Sequence, residues 1–320
     1  MDPEHADYRM RRDEFFADVS FEAIARALFV ESPVDFAVIH ALPNLGFCRD
    51  YVTDPRRAAE FRDRHPERLR LFATVDTPIT QSAIDQLEWQ VKELGVDGLK
   101  LYPAFFYDGQ GEGWRLDSAD YAFPLLEAAW DLGIRQVAVH KALYLPPAPR
   151  EAFRIDDFAG ALERFPDIRF SIVHAGMAFR QQTAQLLAQF PNLYATLEST
   201  FAMILVRPDV FAETLGRMLA ACGSERLLFA SGVNLMHPRP LLEAFTDYEL
   251  PAELIEERGY PQLTEVDRRN ILGENLMRLH GIDPADLVNA VANDEYAVAR
   301  DGEPMAPWSL IRRNGGEVAA

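Results

Sequence analysis

Two histidines stand at the ends of two apolar runs. Val137-Ala138-Val139-His140-Lys141 and Ile172-Val173-His174-Ala175-Gly176 each read as a buried strand that stops on an imidazole as it leaves the core. An imidazole can ligate a metal or move a proton near neutral pH. The two lie 34 residues apart. Strand-then-histidine at that spacing is how a (β/α)8 barrel builds a metal site on its upper rim. A further strand, Arg226 to Ser231, ends on Gly232, where such a site would want a carboxylate. Catalytic zinc takes three protein ligands and a water. The metal acidifies that water, and a nearby carboxylate takes its proton. Two histidines and a glycine leave that set short.

The elements that must carry these residues alternate. Seven apolar runs read as strands: Phe36–Ile39, Leu69–Val75, Gly98–Tyr102, Val137–His140, Phe170–His174, Leu193–Glu198 and Leu227–Ser231. Between them lie stretches with apolar residues at helical spacing, such as Ile84, Leu87 and Val91. Gly95 and Gly133 stand where helix C-terminal caps are expected. Alternating strand and helix predicts a parallel sheet. Lys100, His140, His174, Glu198 and Ser231 all fall at strand C-terminal ends, where barrels keep their sites. No Gly-rich phosphate turn follows the first strand, which disfavours an open dinucleotide-binding sheet. The expected fold is therefore α/β, a TIM (β/α)8-like barrel. A barrel needs eight strands and seven are legible, so the first is expected to be missing or replaced.

Three segments follow from this: an N-terminal helical segment over 1–33, a barrel over 34–282, and a C-terminal helix and extended arm over 283–320. Trp308, Leu310 and Ile311 in the arm could dock on this subunit or on a neighbour. The chain has 320 residues, 48% hydrophobic, which is enough for one large core. A net charge of −18 argues against nucleic acid and anionic membrane. Two distant cysteines, Cys48 and Cys222, argue against a disulfide framework. The first 20 residues are charged, unlike a signal peptide. No apolar run approaches the roughly 20 residues that span a bilayer. A cytoplasmic protein is expected.

Gly98-Leu99-Lys100-Leu101-Tyr102-Pro103, Val139-His140-Lys141, Val173-His174-Ala175-Gly176 and Asn270-Ile271-Leu272-Gly273-Glu274-Asn275 occur in an order that resembles the amidohydrolase-related family. This is the superfamily branch of hydrolases and non-oxidative decarboxylases of small carboxylated substrates. Within it, the chain looks similar to the amidohydrolase-like proteins that accompany bacterial di-iron monooxygenases of propane and acetone metabolism. The resemblance implies a first-strand His-x-His, a fifth-strand His and an eighth-strand Asp around one divalent metal, usually zinc. It places His140 at the fifth-strand position and His174 at the sixth, as a ligand or acid/base. The chain departs twice: it has no His-x-His, and Gly232 stands where the acid belongs.

Two readings follow. In the first, the chain is a degenerate, non-catalytic scaffold or accessory and maturation protein, for instance for an oxygenase. It then needs no cofactor and has a protein partner, such as an oxygenase component or a homologous subunit. In the second, it is a metal-dependent hydrolase or decarboxylase of a small organic acid or ester. His140 and His174 then hold the metal, zinc by resemblance, while His174 and Lys100 act on the substrate. A homo-oligomer suits either reading. His237 reads as an exposed loop histidine, and Phe105, Phe106, Tyr107 and Trp114 as an aromatic loop after the Lys100 strand.

Overall fold

The computed structural model describes residues 3–15, 17–43, 53–107, 110–233, 236–302 and 305–313, without the side chains of 3–5, 106, 107 and 313. Cys48 lies outside the described residues.

Seven strands form one sheet: β1 (Ala37–His40), β2 (Leu69–Thr74), β3 (Gly98–Leu101), β6 (Gln136–His140), β7 (Arg169–Val173), β8 (Leu193–Thr196) and β9 (Leu227–Leu228), in that order. Each falls on one of the apolar runs read from the sequence. The pairs β2–β3, β3–β6, β6–β7 and β7–β8 are all parallel. β1 and β9 end the order, and among the described residues no eighth strand joins the sheet. The fold is the expected α/β, TIM-like barrel class, one strand short. A second sheet is an antiparallel hairpin, β4 (Ala104–Tyr107) with β5 (Gln110–Gly113), where the sequence suggested a loop. Asp108-Gly109 between the two strands is the hairpin signal that betrays it.

The chain divides into two compact units, one of residues 38–196 and one of residues 1–37 with 197–320. In the first, helices pack between successive parallel strands. Helix Thr80–Trp89 runs on through a wide turn, Gln90–Leu94, and stops at Gly95 (φ +60°). Gly133 (φ +89°) ends the next helix, Ala122–Asp131, in the same way. These left-handed positions suit glycine because no Cβ meets the preceding carbonyl. Gly98 has a different role. A Cβ there would stand 2.6 Å from the Phe72 ring, so its absence lets Phe72 fill the sheet face.

The second unit is organised by a buried carboxylate. Ser20 caps helix Phe21–Phe29, and Glu31 follows, 1% exposed. Its Oε2 accepts from the Trp308 amide (2.7 Å) and from His237 Nε2 (3.0 Å). Its Oε1 accepts from the Ser309 amide (2.9 Å) and the Ser309 hydroxyl. Trp308 is buried, and its indole donates to the Tyr8 carbonyl (3.1 Å). The tail therefore docks on its own subunit, and it carries two short helices, Glu295–Arg300 and Ser309–Arg313. His237 is fully buried in this cluster, contrary to its reading as an exposed loop residue. The two prolines that follow it misled: they start helix Pro238–Thr246, and His237 caps it through the Arg239 amide (3.3 Å).

The Asn270–Asn275 motif is structural. Asn275 Nδ2 donates to the carbonyls of Ser224 (2.7 Å) and Leu227 (2.9 Å), and Asn270 Nδ2 to the Ser224 hydroxyl (3.0 Å). The two amides thereby hold the Ser224 turn that leads into β9.

Candidate functional site

The site lies at the C-terminal ends of β3, β6 and β7, within the unit of residues 38–196. Register places Lys100 beside Ala138, and His140 beside Val173. His174 is the first residue beyond β7. There the chain turns left-handed for three residues, His174 (φ +63°), Ala175 (φ +49°) and Gly176 (φ +62°). Two of these are not glycine, and such positions cost of order 1–3 kcal/mol each. Gly176 could be nothing else, because a Cβ would meet Thr183 Oγ1 at 1.7 Å. The turn returns the His174 imidazole to His140.

The rings meet edge to face, with centroids 4.7 Å apart. His174 Nε2 lies 3.1 Å from His140 Nδ1, and His140 Nε2 lies 2.9 Å from the Leu143 carbonyl. These contacts assign the protons. A carbonyl only accepts, so His140 carries its proton on Nε2 and its Nδ1 is a lone pair. His174 must then donate from Nε2–H. Burial, then the Lys100 charge and His174, hold His140 well below the ordinary histidine range, so it is neutral at pH 7.

Lys100 and Tyr102 complete the cluster. Tyr102 stacks on His140 at 4.7 Å and 21°, and the Lys100 ammonium sits 4.2 Å from the other ring's centre, that of Tyr102. Lys100 is 2% exposed, and His140 and His174 are 4% exposed. Sequence reasoning named Lys100, His140 and His174, and the structure brings all three together. It missed Tyr102, whose signal was position: it stands two residues after Lys100, just beyond the end of β3.

The site is covered. Gly111 and Gly113 on β5 lie against the segment that follows β6. A Cβ on Gly111 would stand 2.5 Å from the Ala148 nitrogen, and one on Gly113 2.4 Å from the Ala152 Cβ. Phe105 and Trp114, read as an aromatic loop, are buried against Tyr121. A buried ion pair anchors the cover: Lys141 Nζ donates to Asp157 Oδ2 (2.7 Å) and to the Ala152 carbonyl (2.5 Å). Asp157 Oδ2 also takes the Leu116 amide (2.8 Å). Burial pushes the Asp157 carboxyl up and the Lys141 amine down, each against the attraction of its partner.

The described residues at this rim offer a divalent metal two imidazoles, short of the three protein ligands that catalytic zinc takes. Among the described residues no three His, Cys, Asp or Glu converge as a metal group. The facing nitrogens of the pair are bonded to each other, and a lysine ammonium stands beside them. In the other unit, Gly232 has φ +60°, and a Cβ on it would lie 3.3 Å from Glu198 Cγ and 3.4 Å from Glu198 Oε1. An aspartate at 232 would be strained and set against a like charge. His40 ends β1 against the Phe72 ring (5.1 Å).

Comparisons with known proteins agree on the scaffold. A curated dihydroorotase from Helicobacter hepaticus is 31% identical over 108 residues, 34% of this chain. The match spans only 30% of that enzyme's length. A TIM-barrel protein of Bordetella bronchiseptica superposes with TM-score 0.60 at 17% identity, covering 82% of this chain and 81% of that one. A dihydroxybenzoic acid decarboxylase from Polaromonas, with bound manganese and the inhibitor 2-nitroresorcinol, gives 0.52 at 19%, covering 73% and 76%. No helix among the described residues is long and apolar enough to cross a membrane. The family profile described as Amidohydrolase matches residues 9–282, nearly the whole chain, and the protein belongs to that family.

Proposed function

We propose that this chain is a degenerate amidohydrolase whose barrel rim performs no metal-assisted hydrolysis or decarboxylation, and that it serves as a non-catalytic accessory protein. The carrying observation is the hydrogen bond from His174 Nε2–H to His140 Nδ1 beside a buried lysine. It uses up the lone pair that a metal would need, and the ammonium repels a dication. A metal-free rim has nothing to acidify water toward neutrality. The partner class that the resemblance implies is an oxygenase component or a homologous subunit.

One observation favours the second reading, a metal-dependent decarboxylase or hydrolase of a small organic acid. Two nitrogens bound at about 2.1 Å and a right angle to one metal stand about 3 Å apart. That is close to the spacing of the pair. The manganese-bound Polaromonas decarboxylase shows that such a fold can hold a metal. Metal content of the full chain, by plasma mass spectrometry after loading with manganese or zinc, separates the two. The accessory reading expects far less than one metal per chain. Near one per chain, lost in His140→Ala, overturns it.

A further inference from the structure

We propose that residues 142–156 form a lid that opens as one body and is latched shut by Lys141 and Asp157. Lys141 follows β6, and Asp157 stands 16 residues further on, yet their side chains meet at 2.7 Å. The neck is closed a second time by the Ala142 amide, which donates to the Phe153 carbonyl (2.8 Å). A surface loop of this size with its ends pinned together is an Ω-loop, a kind that often carries function. Its other backbone hydrogen bonds are internal too: the Ala148 amide donates to Leu145, Ala152 to Pro149 and Arg154 to Glu151. A short helical turn, Arg150–Phe153, stiffens the returning side. The segment is built to keep its own shape whether or not it touches its neighbours.

Little holds it down along its length. Against the hairpin it presents Ala148 and Ala152, and the hairpin answers with Ala104, Gly111 and Gly113. Residues so small cover little apolar area, and apolar area is what resists separation. Among the described residues no backbone hydrogen bond joins the segment to the hairpin. The large buried side chains, Phe153 and Ile155, stand near the latch, so the resistance is gathered there. The latch itself is incompletely satisfied. Asp157 Oδ2 takes both Lys141 and the Leu116 amide, while Oδ1 is buried without a partner. A buried polar atom of that kind calls for an explanation, and a pair that meets water in an open state supplies one. Opening hydrates both charges together, so neither is stranded in the core. It also releases Ala142, a non-glycine residue held at φ +67° beside Lys141. What the lid covers is the rim cluster: the Leu143 carbonyl lies 2.9 Å from His140 Nε2, and Phe153 lies edge-on to the same ring at 6.0 Å. It gates access to that cluster under either reading of its chemistry.

The test is amide hydrogen exchange of the full chain in rising, sub-denaturing urea, read by mass spectrometry of its peptides. Amides that open together converge on one urea dependence before global unfolding. Those of Ala142, Ala148, Ala152 and Arg154 are expected to converge in this way, while β6 and β7 stay protected. Asp157→Asn keeps an oxygen for the Leu116 amide and removes the charge that holds Lys141. It is expected to speed exchange in residues 142–156 about tenfold or more, the usual weight of a hydrogen bond to a charged group, and to leave β6 and β7 unchanged. Asp156→Asn removes only exposed pairs, with Arg115 and Arg154, and is expected to change nothing. Exchange of the segment only together with β6 and β7 overturns the lid. So does a separate urea dependence at each amide, which is fraying. Unchanged exchange in Asp157→Asn overturns the latch, as does equal speeding of β6 and β7, which would make the pair a global anchor. Metal loading bears on the accessory reading alone, so the two proposals fail separately.

Discussion

The chain buries two histidine clusters, and they are satisfied in opposite ways. Around Glu31, every polar atom has a complementary partner: four donors saturate one carboxylate, and His237 uses one nitrogen to donate and the other to accept. At the barrel rim, two imidazoles bond to each other beside a cation, with strained backbone at His174 and an orphaned hydroxyl at Thr74. Saturated burial is what a structural clasp requires. Strain and unmet hydrogen-bonding capacity collect where a protein binds or reacts. The difference separates a histidine that holds the fold from a pair that the fold holds in place.

The comparison breaks first at Glu31. Glu31→Ala leaves the Trp308 and Ser309 amides and His237 without an acceptor, and is expected to cost about 3–5 kcal/mol, as breaking a buried charged network does. Urea unfolding measures it, and a loss under about 1 kcal/mol would show that the tail is held otherwise. Lys141→Met is expected to cost a similar or slightly smaller amount by stranding Asp157. The double variant Lys141→Met with Asp157→Leu should recover most of it. Additive losses in that cycle would deny the pair its anchoring role.

Gly113→Ala should cost about 1–3 kcal/mol by forcing β5 off Ala152. Faster amide exchange is expected in residues 104–113 and 143–153 and nowhere else; unchanged exchange would mean that the cover is not held there.

The smallest effect is a pH dependence of the clasp. Burial raises the Glu31 carboxyl, but its hydrogen bonds from His237, Ser309 and Trp308 outweigh this and hold it below the ordinary value of 4.5. Its contribution is full above about 4.5 and is lost as pH falls through the lowered value. Burial likewise holds His237 below 6.5 despite Glu31. The unfolded chain takes up that proton first, so stability begins to fall as pH drops below about 6.5. Both slopes have one sign, and Glu31→Gln should flatten the lower one. A clasp more stable at pH 4 than at pH 7 would contradict both assignments.

Most of the scaffold was legible because buried parallel strands are written as apolar runs, and each of the seven runs became a strand. The hairpin was not, since its strands lack strong alternation and only Asp108-Gly109 marks it. Lys100, His140 and His174 were legible because a polar residue at the end of an apolar run stands out. Their chemistry was not: the proton assignment depends on the Leu143 carbonyl, a backbone atom that no residue type announces. Glu31 and His237 lie 206 residues apart, and nothing local in either segment predicts their meeting.

The central claim is that His174 donates from Nε2–H to the lone pair of a neutral His140, and imidazole nitrogen-15 spectra of histidine-labelled protein test it directly. His140 is expected as the neutral Nε2–H tautomer and His174 with a proton on Nε2, assigned by loss of their signals in His140→Gln and His174→Gln, and both unmoved by an equivalent of zinc. A one-to-one shift of either ring's nitrogens on adding zinc, abolished in His140→Gln, would contradict the account and restore a metal to the rim.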